Sequence, residues 1–569
     1  MVHPTMRRHA ARAASLLLAG SLVLSGCSLL PGGEKEKPTA RPTTTTKSPA
    51  RTGTSWQAEA RDKVRQGGTL RLGATVIPRN FNPQHPDGVS TEAGRILAPT
   101  IGGAVRVTAD GDWRVDPDYA ESVKVTDKDP LTVQVRLNPK AVWQGGTSIT
   151  AKDMVAYWQA MNGSDDDFEV ASSAGFDDIT EVRPGKSRFT YSVIFKTRDA
   201  EWPLYVYPRL PAKVTSSPKL FNSGFRTRAI SSNGPFVVSS IDSTKGMVTQ
   251  KPNPRWWGER PKLSTITWQA ASPDVLVKGY AEGELDAVDL EAGTYAVGKA
   301  AKSGAVQRAP GVEWSQVTLN GGRGPLKDVD VRRAVAHALD RSAVGKQSSG
   351  PLGAPASPLG SVILVPGQRG YVDSSAAVAY DQQRADKLLT KAGWTKGSDG
   401  IRTRKGKRLK LTMPSPAKTP ANTARSKLIV SQLRKVGIDV RVRTVPARKF
   451  FSRYVIALDF DLVNFVRRGS AFPLGAAEAL FYPVDSAQNF TGLGEERIGD
   501  GWDVAKGTLN DKLRFKRIAK LDEWLFEDVA VVPLAVTPLV VAVRTGLVNY
   551  GAAQFEQPDW TRVGFMTKK

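Results

Sequence analysis

Leu131, Val133, Val135 and Leu137 alternate with Thr132, Gln134, Arg136 and Asn138, a period of two that turns one face of an extended chain toward a core. Phe189, Tyr191, Val193 and Phe195 repeat the pattern, so both stretches predict half-buried strands. Between them the period changes. Met154, Trp158 and Met161 recur at helical spacing behind Thr150-Ala151-Lys152-Asp153, which has the spacing of a capping box with Asp in place of the usual Glu or Gln. Strand and helix therefore mix within one domain. A glycine-flanked strand, Gly67-Gly68-Thr69-Leu70-Arg71-Leu72-Gly73, opens the ordered part, and residues 312–319 read as an extended crossing into a second domain. There Asp330 is placed to cap a helix with Val331, Ala334, Val335, Ala338 and Leu339 on one face. Ala385, Leu388, Leu389 and Ala392 form another helix stopped at Gly393, and Ile429, Leu433 and Val436 a third stopped at Gly437. Ile438, Val440 and Val442 then alternate with polar residues, and helix, glycine, strand is an α/β signature. A last helix carrying Ile518, Leu521 and Leu525 precedes the apolar run Val531-Val532-Pro533-Leu534.

The first residues have a different pattern. Arg7, Arg8 and Arg12 come without an acid and are followed by an apolar run over 13–24, about half the length that spans a bilayer. This is the layout of an export signal. From 28 to about 65 the chain is rich in Pro, Thr, Lys and Glu and almost lacks large apolar residues, which predicts a disordered spacer.

The single cysteine of the 569 residues is Cys27, so no disulfide, zinc–thiolate site or cysteine nucleophile is expected once it is modified. Two of the four histidines lie in the signal, and His85 and His337 are far apart in sequence, which leaves no histidine-based metal site in view. The net charge of +25 invites a nucleic-acid partner. Export and the even spread of Lys and Arg argue against one, and the dense stretch 402–410 reads as a solvated turn between Trp394 and Leu411.

Leu24-Ser25-Gly26-Cys27 resembles a bacterial lipobox, which implies a signal over 1–26, diacylglycerol on Cys27, and a lipidated linker over 27–65 on the outer face of the cell membrane. Several further stretches resemble, in the correct order, the extracellular solute-binding proteins of family 5, the dipeptide-, oligopeptide- and nickel-binding components of ABC importers. These are Gly67-Gly68-Thr69-Leu70-Arg71 with Asn82-Pro83; Trp143-Gln144-Gly145-Gly146-Thr147 with Thr150-Ala151-Lys152-Asp153; Asn233-Gly234-Pro235-Phe236; and Asn253-Pro254-Arg255-Trp256-Trp257-Gly258. The order continues through Gly283-Glu284-Leu285-Asp286, Val331-Arg332-Arg333-Ala334 to Asp340-Arg341, Tyr380-Asp381 to Gly393, and Phe460-Asp461-Leu462. The resemblance implies a two-lobed periplasmic-binding-protein-like α/β fold with an extra subdomain in lobe one. Lobe two (312–529) would be inserted in lobe one (66–311 plus 530–569), with ligand held between them.

It also implies ligand contacts, and here the chain departs from its family. Peptide-binding members carry an acid after the Phe-Asp-Leu strand that pairs with the peptide amine, whereas this chain has Phe465, Val466, Arg467, Arg468, Gly469 and Ser470. A guanidinium suits carboxylate or phosphate, so Arg467 and Arg468 point to an anionic ligand, against a reading in which both pair with acids of the other lobe or face solvent. Asp87, Gly88 and Val89 resemble a ligand-side loop, and Asn233 replaces a usual turn residue. The expected activity is capture of an oligopeptide or other polar, anionic or glycosylated solute for an ABC permease, by a monomer and without a cofactor. The alternative on the same fold is a regulator of envelope lipoglycan synthesis, as in an actinobacterial lipoprotein branch of the family associated with monoacyl phosphatidylinositol tetramannoside. No Gly-x-Ser-x-Gly elbow, metal cluster or Walker loop points to an enzyme.

Overall fold

The computed structural model describes residues 53–567 apart from 303, 356 and 357. The export signal and Cys27 lie outside the described residues. Those described include, in chain order, β1 (Thr69–Ala74), β2 (Ala120–Lys128), β3 (Leu131–Leu137), α1 (Ala151–Met161), β4 (Ile179–Pro184), β5 (Thr190–Phe195), β6 (Phe236–Asp242), β7 (Met247–Pro252), β8 (Thr265–Ala270), β9 (Ala287–Asp289) and β10 (Gly304–Leu319). There follow α2 (Val329–Ala338), α3 (Gln382–Lys391), β11 (Lys410–Pro416), α4 (Pro420–Lys435), β12 (Asp439–Val445), β13 (Leu462–Arg468), α5 (Leu474–Glu478), α6 (Glu496–Lys506), α7 (Asp511–Asp528) and β14 (Val531–Arg544).

An eight-stranded sheet in the order β13-β10-β14-β9-β1-β8-β7-β6 runs through both lobes, and a four-stranded sheet β2-β3-β5-β4 forms the extra subdomain. On β3 the four apolar residues are buried while Gln134 and Arg136 face water, as the alternation predicts. Each such burial contributes about 2 kcal/mol. Asp153 completes the expected capping box at α1, accepting from the Thr150 amide at 2.9 Å. In lobe two, Asp328 rather than Asp330 caps α2, accepting from the Asp330 amide at 2.9 Å.

Two strands cross between the lobes. β10 and β14 pair from Gly304–Arg544 to Ala309–Leu539, and again from Glu313–Thr537 to Thr318–Val531. The ladder breaks between these blocks, where Pro310 and Pro538 have no amide hydrogen to give. At Gly311 a Cβ would lie 1.6 Å from the Thr537 carbonyl oxygen, so only glycine permits the two chains to approach there. One hydrophobic core gathers residues from Leu70 to Ile266 with Val541 and Val543, and a second gathers Val317 through Leu462 with Val531, Val532 and Leu534. The ladder is interrupted between Ala309 and Glu313, and Val531, Val532 and Leu534 pack in the second core.

The spacer also ends earlier than its composition suggests. Residues 53–65, expected to be disordered, lie along the C-terminal segment. The Ser55 amide donates to the Ala552 oxygen at 2.9 Å, and the Arg65 amide to the Phe565 oxygen at 2.9 Å. Trp56 and Val64 are the apolar anchors in an otherwise polar stretch, and both are buried. The basic stretch 402–410 is likewise only partly solvated. Arg402 is buried and donates to the Trp394 oxygen at 2.7 Å and the Val436 oxygen at 2.9 Å.

Candidate functional site

Lobe one holds a cavity of about 330 Å³, walled by Tyr119, Tyr207, Trp256 and Asp118, to which lobe two contributes Phe472. Tyr119 is the centre of its aromatic wall, packing edge-on against Tyr207 at 5.9 Å and Trp257 at 5.5 Å. Burial raises the pKa of both tyrosine hydroxyls, which keeps them protonated and able to donate. Burial also raises the pKa of the Asp118 carboxyl, helped by the neighbouring Asp116. Trp256 and Trp257 belong to the Asn-Pro-Arg-Trp-Trp-Gly turn, and the second indole fixes that turn by donating to the Asp118 carbonyl oxygen at 2.6 Å. Trp143, by contrast, is a core residue whose Nε1 donates to Asp153 at 3.1 Å.

Asn233 is fully buried behind this wall. Its Oδ1 accepts from the Gly102 amide at 3.0 Å and its Nδ2 donates to the Gly102 oxygen at 3.3 Å, so it clips the loop against Tyr119 instead of reaching into the cavity. A Cβ on Gly102 would fall 2.0 Å from the Tyr119 hydroxyl, which is how closely that loop is held. Asp87, Gly88 and Val89 do not line the cavity either. Asp87 and Val89 are exposed, and Gly88 is buried where a Cβ would meet the Asn82 oxygen at 1.9 Å. Their turn is organised by His85, whose ring accepts from the Asp87 amide at 3.1 Å and pairs with Glu169 at 2.8 Å.

At the end of β13 the five predicted residues separate. Neighbours on a strand point to opposite faces. Phe465 is buried between Phe451 and Phe490, with centroids 5.6 and 6.2 Å away. Arg467 lies on the same face, its guanidinium 5.4 Å from the Phe465 ring centre and 5.6 Å from that of Phe490. Arg468 points the other way, is half exposed, and pairs with Glu313 at 3.0 Å. Its strand partner is that same glutamate, so Arg468 already has a carboxylate of the protein beside it. Gly469 donates its amide to the Val312 oxygen at 2.7 Å, with Trp314 3.2 Å from a would-be Cβ. Ser470 turns its hydroxyl onto the Phe472 oxygen at 2.6 Å and shapes the loop that carries Phe472 to the cavity.

The contacts that hold the lobes together were not visible in the sequence. Glu201 of lobe one is buried, and its carboxylate accepts from the amides of Leu474 at 2.6 Å and Gly475 at 2.9 Å, the first turn of α5 in lobe two. Burial pushes its pKa up to about 7 despite both bonds. Asp199 holds the Glu201 amide at 2.7 Å, and the Ala200 amide donates to the Lys506 oxygen at 2.8 Å. Nearby, Arg369 of lobe two bridges Asp112 of lobe one and Asp511, and its amide donates to the Asp110 oxygen at 2.7 Å. Neither acid of Asp199-Ala200-Glu201 stands in a motif, and the partners of Glu201 are remote in sequence. Among the described residues no group of three or more His, Cys, Asp or Glu side chains could hold a metal ion, and no helix is long and apolar enough to cross a membrane.

The model of the bacterial extracellular solute-binding proteins, family 5 Middle, matches residues 114–490. The oligopeptide-binding protein OppA of Mycobacterium tuberculosis is 32% identical over 99% of this chain and 95% of its own length. The probable monoacyl phosphatidylinositol tetramannoside-binding protein LpqW of the same species is 25% identical over 77% of this chain and 71% of its own. Among solved structures, the periplasmic EDTA-binding protein EppA superposes with a TM-score of 0.80 at 22% identity, covering 92% of this chain and 100% of its own. The oligopeptide-binding protein AppA of Bacillus subtilis, in complex with a nonapeptide, gives 0.71 at 19% identity, covering 89% and 100%. At these identities the two structures share the fold.

Proposed function

Because the chain belongs to family 5 of the bacterial extracellular solute-binding proteins, we propose that it is the lipid-anchored receptor of an ABC importer, which captures a peptide-like solute between its lobes and presents it to the permease. Lobe one comprises 66–309 with 540–569 and lobe two 313–536, the interrupted ladders of β10 and β14 serving as the hinge. Cys27 carries the lipid, and two acyl chains suffice to hold a protein stably on a membrane.

The observation that carries this reading is the lobe-one cavity that meets Phe472 of the opposite lobe. Its about 330 Å³ is in the range of small-molecule sites, and its lining combines aromatic rings with charged side chains such as Arg106, Asp118 and Arg209. Separation of the lobes at the Glu201 contact gives a solute its entry, and closure sequesters it. Presentation in the closed form is what a permease reads.

Native mass spectrometry of the protein purified from membranes of its host tests the reading. Co-purifying peptides of a few residues are the expected result. A mannosylated phosphoinositide found in their place would overturn it in favour of a lipoglycan-synthesis regulator. The same preparation should carry a diacylglycerol mass that is lost in Cys27→Ala.

A further inference from the structure

Arg467 differs from the other enclosed arginines of this protein. Arg332 donates to the Asp528 oxygen at 2.8 Å and the Leu326 oxygen at 2.9 Å. Arg341 donates to the Leu359 oxygen at 2.7 Å and the Ser375 hydroxyl at 2.8 Å, and Arg425 to Asn464 Oδ1 at 3.2 Å. Arg467 has no acceptor among the described residues, and its Nε is sealed from solvent. Burial alone moves its pKa, down to about 10, since no carboxylate is near enough to oppose it. The side chain as a whole is half-buried, but an Nε–H held in that way is costly unless something else supplies the acceptor.

The walls around it say what that acceptor is. Arg467 opens onto a pocket of about 10 Å³ shared with Trp314, Gln316, Thr318, Phe490 and Thr491, room for about one oxygen atom. Trp314 Nε1 can only donate, and it donates to Gln316 Oε1 at 3.2 Å, which fixes the amide. Gln316 Nε2 then donates to Thr318 Oγ1 at 2.9 Å. The chain of bonds runs in one direction and ends with the Thr318 hydroxyl hydrogen and the second amide hydrogen of Gln316 unspent. Thr491 spends its own hydroxyl hydrogen on Asn489 Oδ1 at 2.6 Å. The pocket therefore offers a cation and spare donors, with no acidic side chain in its lining. A ligand ammonium would meet a like charge and only neutral oxygens there, whereas an anionic oxygen meets the guanidinium and the spare donors.

We infer that Arg467 is the anion-recognition residue of this receptor, taking one oxygen of a ligand carboxylate, or of a comparable anionic group such as phosphate, in the lobe-two pocket that it shares with Gln316, Thr318 and Phe490. The inference deepens the solute-receptor reading and rests on it. It inverts the polarity that an acid at the end of this strand would give. The guanidinium rests against both rings, which pack edge-to-face with each other at 6.2 Å, so its position is partly set before ligand arrives and less freedom is lost on binding.

The test compares the native full-length protein with Arg467→Met and Arg467→Lys. Equilibrium dialysis against a pool of neutral tetrapeptides as free acids, and the same pool as C-terminal amides, is read by mass spectrometry. Native protein should retain the acids at least about tenfold better than the amides, Arg467→Met should bring that ratio near one, and Arg467→Lys should keep part of it. Equal retention of both pools by native protein, or a ratio untouched by Arg467→Met, would overturn the inference. If neither pool binds, the peptide reading fails by itself, and titration with inorganic phosphate and with citrate, followed by tryptophan fluorescence, decides the anion site. A saturable change lost in Arg467→Met supports it, and the absence of any saturable change sinks it. Melting of the unliganded proteins guards against a merely structural role: Arg467→Met should melt no lower than native protein, and a lower melting temperature with ligand preference unchanged would mark the arginine as structural.

Discussion

Closure of the lobes should consume a proton. In the closed form the Glu201 carboxyl is sealed between Asp199, the Leu474 and Gly475 amides and the Lys506–Glu478 pair, and its pKa stands at about 7 against 4.5 for a solvated glutamate. Separating the lobes returns it to water. Below pH 4.5 the group is neutral in both forms and closure has no charge to desolvate. As pH rises from 4.5 toward 7 the open form loses its proton first, closure must take one up, and the closed form is progressively disfavoured until the effect levels off above 7. With 1.36 kcal/mol per unit, the difference between pH 5.5 and pH 8 is about 2 kcal/mol, or about 30-fold in the open–closed equilibrium. Asp199, whose pKa burial also raises, adds to the same slope, while Lys506, held above its ordinary value by Glu478, stays charged throughout the window. The apparent affinity for ligand follows the closed fraction. Since Cys27 is the only cysteine, one cysteine introduced on each lobe of a Cys27→Ser protein allows specific dye labelling, and energy transfer then reports the closed fraction against pH. Glu201→Gln, which still offers the two amides an acceptor, should flatten most of the slope. A closed fraction independent of pH in the native protein, or an unchanged slope in Glu201→Gln, would refute the reasoning.

Two stability predictions concern lobe-one positions outside the cavity. Asp153 accepts from the amides of Thr150 and Ala212, both at 2.9 Å, and from the Trp143 indole at 3.1 Å, so Asp153→Ala strands three donors and should lower unfolding free energy in urea by about 3 kcal/mol or more, with Asp153→Asn costing less. Gly88→Ala drives a methyl to 1.9 Å from the backbone oxygen of Asn82 and should cost about 1–3 kcal/mol by the same measurement, whereas the exposed Asp87→Ala should lie within about 0.5 kcal/mol of the native protein.

What could be read from the residues was whatever local spacing controls. The alternation of Leu131 to Leu137 became β3 with its apolar face inward, and Thr150 with Asp153 became the capping box of α1, because both depend on contacts within a few residues. The ordered run of family motifs announced a two-lobed solute receptor for the same reason: each motif is a local turn or cap. The sequence also placed Arg467 among the ligand candidates, but it gave Arg468 the same standing. Only the sheet separates them, since β10 sets Glu313 opposite Arg468 and leaves Arg467 on the face of Phe490. Asn233 read as a ligand residue, and the bonds that its amide makes to Gly102 could not be foreseen because that partner is remote in sequence. Trp56 and Val64 lie in a stretch whose average composition predicts disorder, and they are ordered by a C-terminal segment about five hundred positions away, as in the Val64–Met566 bridge. The lobe contact at Glu201 is the extreme case: 273 positions separate it from Leu474, and an isolated glutamate carries no mark of the helix start that it will meet. Local periodicity decides which elements form, and long-range closure decides which charges are left without partners, so the fold was largely written in the spacing of residues and the chemistry of the cleft in their tertiary neighbours.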